Sequence, residues 1–91
     1  MSDTLTPQQR WAQRHPERAA ALNRRRAAKL AEADRRLRAR HPDGYEALRA
    51  AQDATDSPAH VKRRRAAQAL RRQHPDDWRE IRAAVREEFA Q

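Results

Sequence analysis

The chain of 91 residues has no cysteine and a single glycine, Gly44. Without thiols there are no disulfides and no thiolate-bound metals, which accords with a reducing interior. One glycine leaves no glycine-rich loop to cradle a phosphate through backbone N–H groups. Hydroxyl nucleophiles are few: Ser2, Thr4, Thr6, Thr55 and Ser57, near the N-terminus or in one short loop. The adjacent acids Asp76-Asp77 and Glu87-Glu88 fall at helix ends or on a solvated face. Catalysis therefore has little to work with, and a non-enzyme is expected. No apolar run approaches the ~20 residues that cross a bilayer. The opening "MSDTLTPQQR" is polar, unlike a secretory signal. A cytoplasmic protein with no membrane partner is the expectation.

Bulky apolar groups are scarce as well. Hydrophobic residues make up 37% of the chain, but 20 of them are alanine. The larger ones are Met1, Leu5, Trp11, Leu22, Leu30, Leu37, Tyr45, Leu48, Val61, Leu70, Trp78, Ile81, Val85 and Phe89. A chain of this size with so few is marginal alone. Homodimerisation, folding on a partner, or fraying ends are the expected remedies.

What the chain does have is positive charge. Lys and Arg number 21 against 13 acids, a net +8, and all but Lys29 and Lys62 are arginine. Such a surface attracts polyanions, nucleic acid first and acidic protein second.

Abundant Ala, Arg, Leu, Glu and Gln argue for helix throughout. The five prolines sit where helices would start, since Pro lacks the N–H that the first helical position leaves unused. Thr6-Pro7 with Gln9 reads as a capping box and Ser57-Pro58 as a second cap. His15-Pro16-Glu17, His41-Pro42-Asp43 and His74-Pro75-Asp76 each put an acid at the positive end of a helix dipole. The residue before Pro resists the α conformation, so each His should end the preceding helix. Helices are thus predicted at 7–14, 16–40, 42–54, 58–73 and 75–90. They form one small all-α bundle with Pro-initiated corners over residues 1–91, in which 1–15 is a loosely attached N-terminal helix.

Apolar spacing fits this reading. Trp78, Ile81, Val85 and Phe89 share one helix face, as do Tyr45, Leu48 and Ala51, and Leu22, Leu30, Ala33 and Leu37 form a stripe on the long helix. Arg18, Arg25, Lys29, Arg36 and Arg40 form a basic ridge opposite. "LRARHPDGYEALRAA" from Leu37 and "RRQHPDDWREIRAAV" from Arg71 point to a duplicated helix–corner–helix unit. "RRRAAKL" from Arg24 recurs as "RRRAAQAL" from Arg63, but six residues closer to its corner. Six residues turn a helix by about 240°, so the two arginine triplets face differently.

His-Pro-Asp between helices resembles the tripeptide of J-domain co-chaperones, where it follows a basic helix and engages a chaperone. "KLAEADRRLRARHPD" and "VKRRRAAQALRRQHPD" are both similar to that basic helix. J-domains carry the tripeptide once, in an exposed loop. Here Gly44-Tyr45 and Asp77-Trp78 enter the next helix at once, so a repeated corner is preferred. In general style the chain resembles small, basic, all-helical proteins of actinobacterial phages, which carry "RHPE/D" followed by an aromatic. "RWAQRHPERAAALNRRRAA" resembles basic helices beside phage HNH endonucleases, whose catalytic residues are absent. A phage or mobile-element source is what this likeness implies.

His15, His41, His60 and His74 offer no close pair on one helix, so neither a metal nor another cofactor is expected. The candidate site is a set of cations for backbone phosphates: Arg24, Arg25, Arg26, Lys29, Lys62, Arg63, Arg64, Arg65, Arg71 and Arg72. A solvated face of i,i+4 ion pairs is the plainer alternative. Acids are too few near 24–29 and 62–65 to pair with all of these charges. Trp11, Tyr45 and Trp78 have the chemistry to stack on bases, but each lies on an apolar stripe and core packing is favoured. No reader motif is present, so binding should be weakly sequence-specific, to DNA rather than RNA. The rival expectation is a module that inhibits or redirects an acidic host protein.

Overall fold

The computed structural model describes residues 4–90, so Met1 and Ser2, counted above, lie outside it. Five helices follow in order: α1 (Pro7–Arg14), α2 (Pro16–Arg40), α3 (Pro42–Gln52), α4 (Ala59–Gln73) and α5 (Pro75–Phe89). No strand occurs among the described residues.

Local chemistry sets the boundaries. The Thr6 hydroxyl accepts from the Gln9 N–H at 3.2 Å, and the Gln9 side chain accepts from the Thr6 N–H at 2.9 Å. At the three His-Pro corners the histidine takes φ near −130° and ψ near 60°, outside the helical region. Each histidine N–H still donates four residues back, to Trp11, Leu37 or Leu70. Each histidine carbonyl accepts four residues ahead, from Ala19, Tyr45 or Trp78. The corner turns the chain while the histidine backbone serves both helices. The second cap differs from expectation: Pro58 occupies the cap position of α4 without a side-chain bond. Ser57 instead accepts from Arg65 at 2.8 Å. α3 ends at Gln52, two residues early, where turn bonds from Asp53 to Ala50 and Thr55 to Gln52 take over.

The packing is reciprocal. α2 packs on α5 and α3 on α4, and α2 and α4 also touch each other. Exchanging the unit α2–α3 with the unit α4–α5 leaves this pattern unchanged, as an approximate two-fold relation would. Residue correspondence runs at the His41-to-His74 interval of 33 positions. The core consists of Ala33, Leu37, Tyr45, Ala66, Leu70, Ile81 and Val85, with Leu48, Trp78 and Phe89 packed against it. Ala33 corresponds to Ala66, Leu37 to Leu70, Tyr45 to Trp78 and Leu48 to Ile81. Arg38 lies over the Tyr45 ring at 5.2 Å, and its counterpart Arg71 over Trp78 at 4.6 Å. The repeat therefore belongs to the corners. The arginine triplets are not equivalent within it, because Arg63 corresponds to Leu30.

Ion pairs tie the halves together. Arg36 on α2 grips Glu88 on α5 through two bonds of 2.5 and 3.0 Å, and also bonds Glu32. Arg40 reaches Glu80 at 3.4 Å and Asp77 at 3.7 Å. Arg71 on α4 makes a two-pronged bond to Asp34 on α2. The basic ridge of α2 is thus split: its C-terminal members, Arg36 and Arg40, are consumed in holding α5.

α1 buries no residue, and α2 buries none before Ala33. The Cα radius of gyration is 16.8 Å, against about 12 Å for a compact chain of this length. α5 ends beside α2 at Arg25, whose guanidinium donates to the Phe89 carbonyl. The stretch N-terminal to that point, with α1 folded against it, forms an arm outside the core.

Candidate nucleic-acid interface

A cleft of about 340 Å³ opens between α2, α3 and α4, walled by Arg38, Arg63, Arg64 and Arg71 over a floor of Leu37, Tyr45 and Leu70. Beside it on α5 lies a second hollow of about 440 Å³, lined by Arg71, Pro75, Trp78, Arg79, Arg82, Ala83 and Arg86. Arg71 belongs to both, so the two form one surface carrying seven guanidiniums. The one carboxylate in these walls, Asp34, is already bonded to Arg71. Arg79 lies 3.7 Å from Asp76, but both are almost fully exposed. Such a pair is worth little and is easily exchanged for another anion.

Helix geometry explains which arginines meet. Successive residues turn about 100° around the axis, so consecutive arginines diverge, whereas intervals of three or four keep one face. Within Arg63-Arg64-Arg65, the long side chains of the first two still both reach the cleft from directions about 100° apart, whereas the third, about 200° from the first, turns away to Ser57. Arg79, Arg82 and Arg86 stand at intervals of three and four and share a face. Sequence reading missed those three and Arg38 because it followed runs of adjacent charge. The spacing that identifies them was there to be read.

The remaining sequence candidates fall elsewhere or into structural roles. Arg71 is held by Asp34 and lies over Trp78. Lys62 is half-buried with its ammonium 3.9 Å from Asp53. Arg25 is spent partly on the Phe89 carbonyl. Arg72 is exposed on α4, and Arg24, Arg26 and Lys29 lie on α2 outside the two hollows. Among the described residues, no carboxylate pairs with Arg24, Arg26, Lys29, Arg38, Arg63, Arg64, Arg72, Arg82 or Arg86.

Neither Tyr45 nor Trp78 presents a free ring on this face. Tyr45 is buried in the core, and Trp78 is half-buried with Arg71 over its ring and Arg82 5.7 Å away. Trp11, 40% exposed, lies on the arm.

At three of the paired carboxylates the cation holds the acid in its ionised form. Arg35 and Arg36 hold the Glu32 carboxyl down to about 2. Hydrogen bonding to Arg36 lowers Glu88, and the bond from His41 lowers Asp77. Glu88 and then Glu32 push the Arg36 guanidinium above its ordinary value.

The fold also brings together groups that lie far apart in the sequence. The ligand atoms of His41, His74 and Asp77 fall within 4.8 Å of one another. His41 Nε2 donates to Asp77 at 2.7 Å, and the two imidazoles are stacked with planes 8° from parallel. Lone pairs in parallel rings do not converge on one point, so the group is arranged as a hydrogen-bonded His41–Asp77 pair with His74 stacked on it. Comparison of the chain with protein-family models, curated proteins and solved structures found no match.

Proposed function

We propose that the protein is a non-enzymatic nucleic-acid-binding protein that grips the phosphate backbone of duplex DNA through the joined cationic surface of α4 and α5, with Arg38 of α2 at its edge. The observation that carries this reading is the composition of that surface: Arg38, Arg63, Arg64, Arg71, Arg79, Arg82 and Arg86 around two adjoining hollows, with Asp34 the one acid and already bonded. Guanidiniums are matched to phosphate oxygens in geometry as well as charge. Because Tyr45 is buried and Trp78 lies under Arg71, bases have no free ring to stack on here, which favours a stacked duplex over an open strand. Affinity built on phosphate contacts rests on counterion release, and its sequence preference is weak. A phage or mobile-element source is part of the same proposal and rests on the resemblance of the His-Pro corners.

Fluorescence anisotropy with a labelled duplex, the matching single strand and an RNA hairpin, at low and physiological salt, tests it. Duplex DNA should bind tightest, and its affinity should fall steeply with salt. Preference for the single strand, or an affinity that ignores salt, would overturn the reading.

A further inference from the structure

The arm carries chemistry that the cationic surface does not. Trp11 and Leu22, each 40% exposed, line a hollow of about 690 Å³ between α1 and α2, together with Thr6, Pro7, Ala19 and Arg26. Among the described residues no other helix covers this apolar strip, since α1 meets α2 alone and the arm buries no residue. Positions 7–26 hold six arginines and one acid, Glu17. Arg26 lines the hollow itself, and Arg14, Arg18 and Arg24 stand elsewhere on the same arm; none of the four has a carboxylate partner among the described residues.

We infer that this hollow docks an acidic amphipathic helix of a protein partner, with leucine-like side chains seated against Trp11 and Leu22 and carboxylates facing Arg26 in the positive field of the arm's other arginines. Charge complementarity selects the occupant. A second copy of the chain would bring an equally cationic arm to within a Debye length, where like charges repel. A phosphate backbone would satisfy the arginines but leave the Trp11–Leu22 strip facing polar groups. An apolar stripe flanked by acids answers both halves of the surface, the helix-in-groove mode of recognition. The inference does not depend on the duplex-binding proposal, because the two surfaces share no lining residue.

The probe is a synthetic peptide of about five helical turns, with leucine at i, i+3, i+4 and i+7 and glutamate elsewhere, beside a control of identical composition whose leucines are scattered. Binding is read by anisotropy of a label on the peptide. The amphipathic peptide should bind, the scattered control at least tenfold more weakly, and Leu22→Gln and Trp11→Ala should each lower affinity at least tenfold. Both side chains are exposed, so the thermal melt should stay unchanged. Equal binding of both peptides, or no binding of either, would overturn the inference. Sedimentation that shows self-association lost in Leu22→Gln would overturn it by making the occupant a second copy. Binding of oligo-dT that depends on Trp11 while the peptide fails would overturn it by making the hollow a base-stacking site.

Discussion

The imidazoles of His41 and His74 lie face to face, their centroids 3.5 Å apart. They occupy the same position in the two repeated corners, and the stack sits where the halves meet. Of the two rings, His41 bonds the Asp77 carboxylate. That asymmetry follows from the repeat itself: the position that corresponds to Asp77 in the first half is Gly44.

Acid should destabilise the protein through its paired carboxylates, Asp77 and Glu88 between helices and Glu32 within α2. His41 lowers Asp77, Arg36 lowers Glu88, and Arg35 with Arg36 lowers Glu32 to about 2. In the unfolded chain these groups take up protons near their ordinary values of about 3.9 for Asp and about 4.3 for Glu. Below that range the unfolded state binds more protons than the folded one, so stability is full above about pH 4.5 and falls toward about pH 2. Urea midpoints across that window should drop for the wild type. Asp77→Asn and Glu32→Gln should each start lower and fall less.

Gln52 corresponds to the core residue Val85, yet its side-chain oxygen is buried without a hydrogen-bond partner. An unsatisfied buried polar atom costs about 1–3 kcal/mol. Gln52→Leu should raise stability by about 1 kcal/mol in denaturant titrations. A loss of stability in that variant would mean that the amide has a partner in solution.

The long helix should respond differently along its length. Leu37 is 1% exposed and Leu22 is 40% exposed. Leu37→Ala should cost about 2–5 kcal/mol. Leu22→Ala should stay within about 0.5 kcal/mol of wild type. Equal costs would place the arm inside the cooperative fold.

Arg71 is a structural cation, bonded to Asp34 and lying over the Trp78 ring. Arg71→Met should leave the Asp34 carboxylate unpaired and cost about 1–3 kcal/mol. Arg71→Lys should rescue little, because an ammonium cannot reproduce the two-pronged bond. Chemical denaturation of the two variants checks this. Full rescue by lysine would reduce the pair to simple charge attraction.

The helices were legible in the sequence because proline is unambiguous: each His-Pro step ends one helix and starts the next within a residue. Which helix lies on which was not. A repeat at 33 positions is compatible with each half closing on itself, and the exchanged pairing of α2 with α5 shows only in contacts such as Arg36 to Glu88, 52 residues apart. The same distance hid which cations are free. Arg36, Arg40 and Arg71 find carboxylates on other helices, and proximity along the chain says nothing about them. The face formed by Arg79, Arg82 and Arg86 was legible by its spacing but was overshadowed by the denser triplets at Arg24 and Arg63.

The central claim is that the joined α4–α5 surface binds backbone phosphates. It is tested most directly by the salt dependence of duplex binding, measured for the wild type and for a triple variant, Arg79→Ala, Arg82→Ala and Arg86→Ala. Each phosphate engaged contributes about −0.9 to the slope of log K against log salt. With about five phosphates in contact the wild-type slope should lie near about −4.5, and the triple variant should be shallower by about 2 to 3 while keeping its helical circular dichroism. A wild-type slope near zero, or a triple variant with unchanged slope and affinity, would contradict the account.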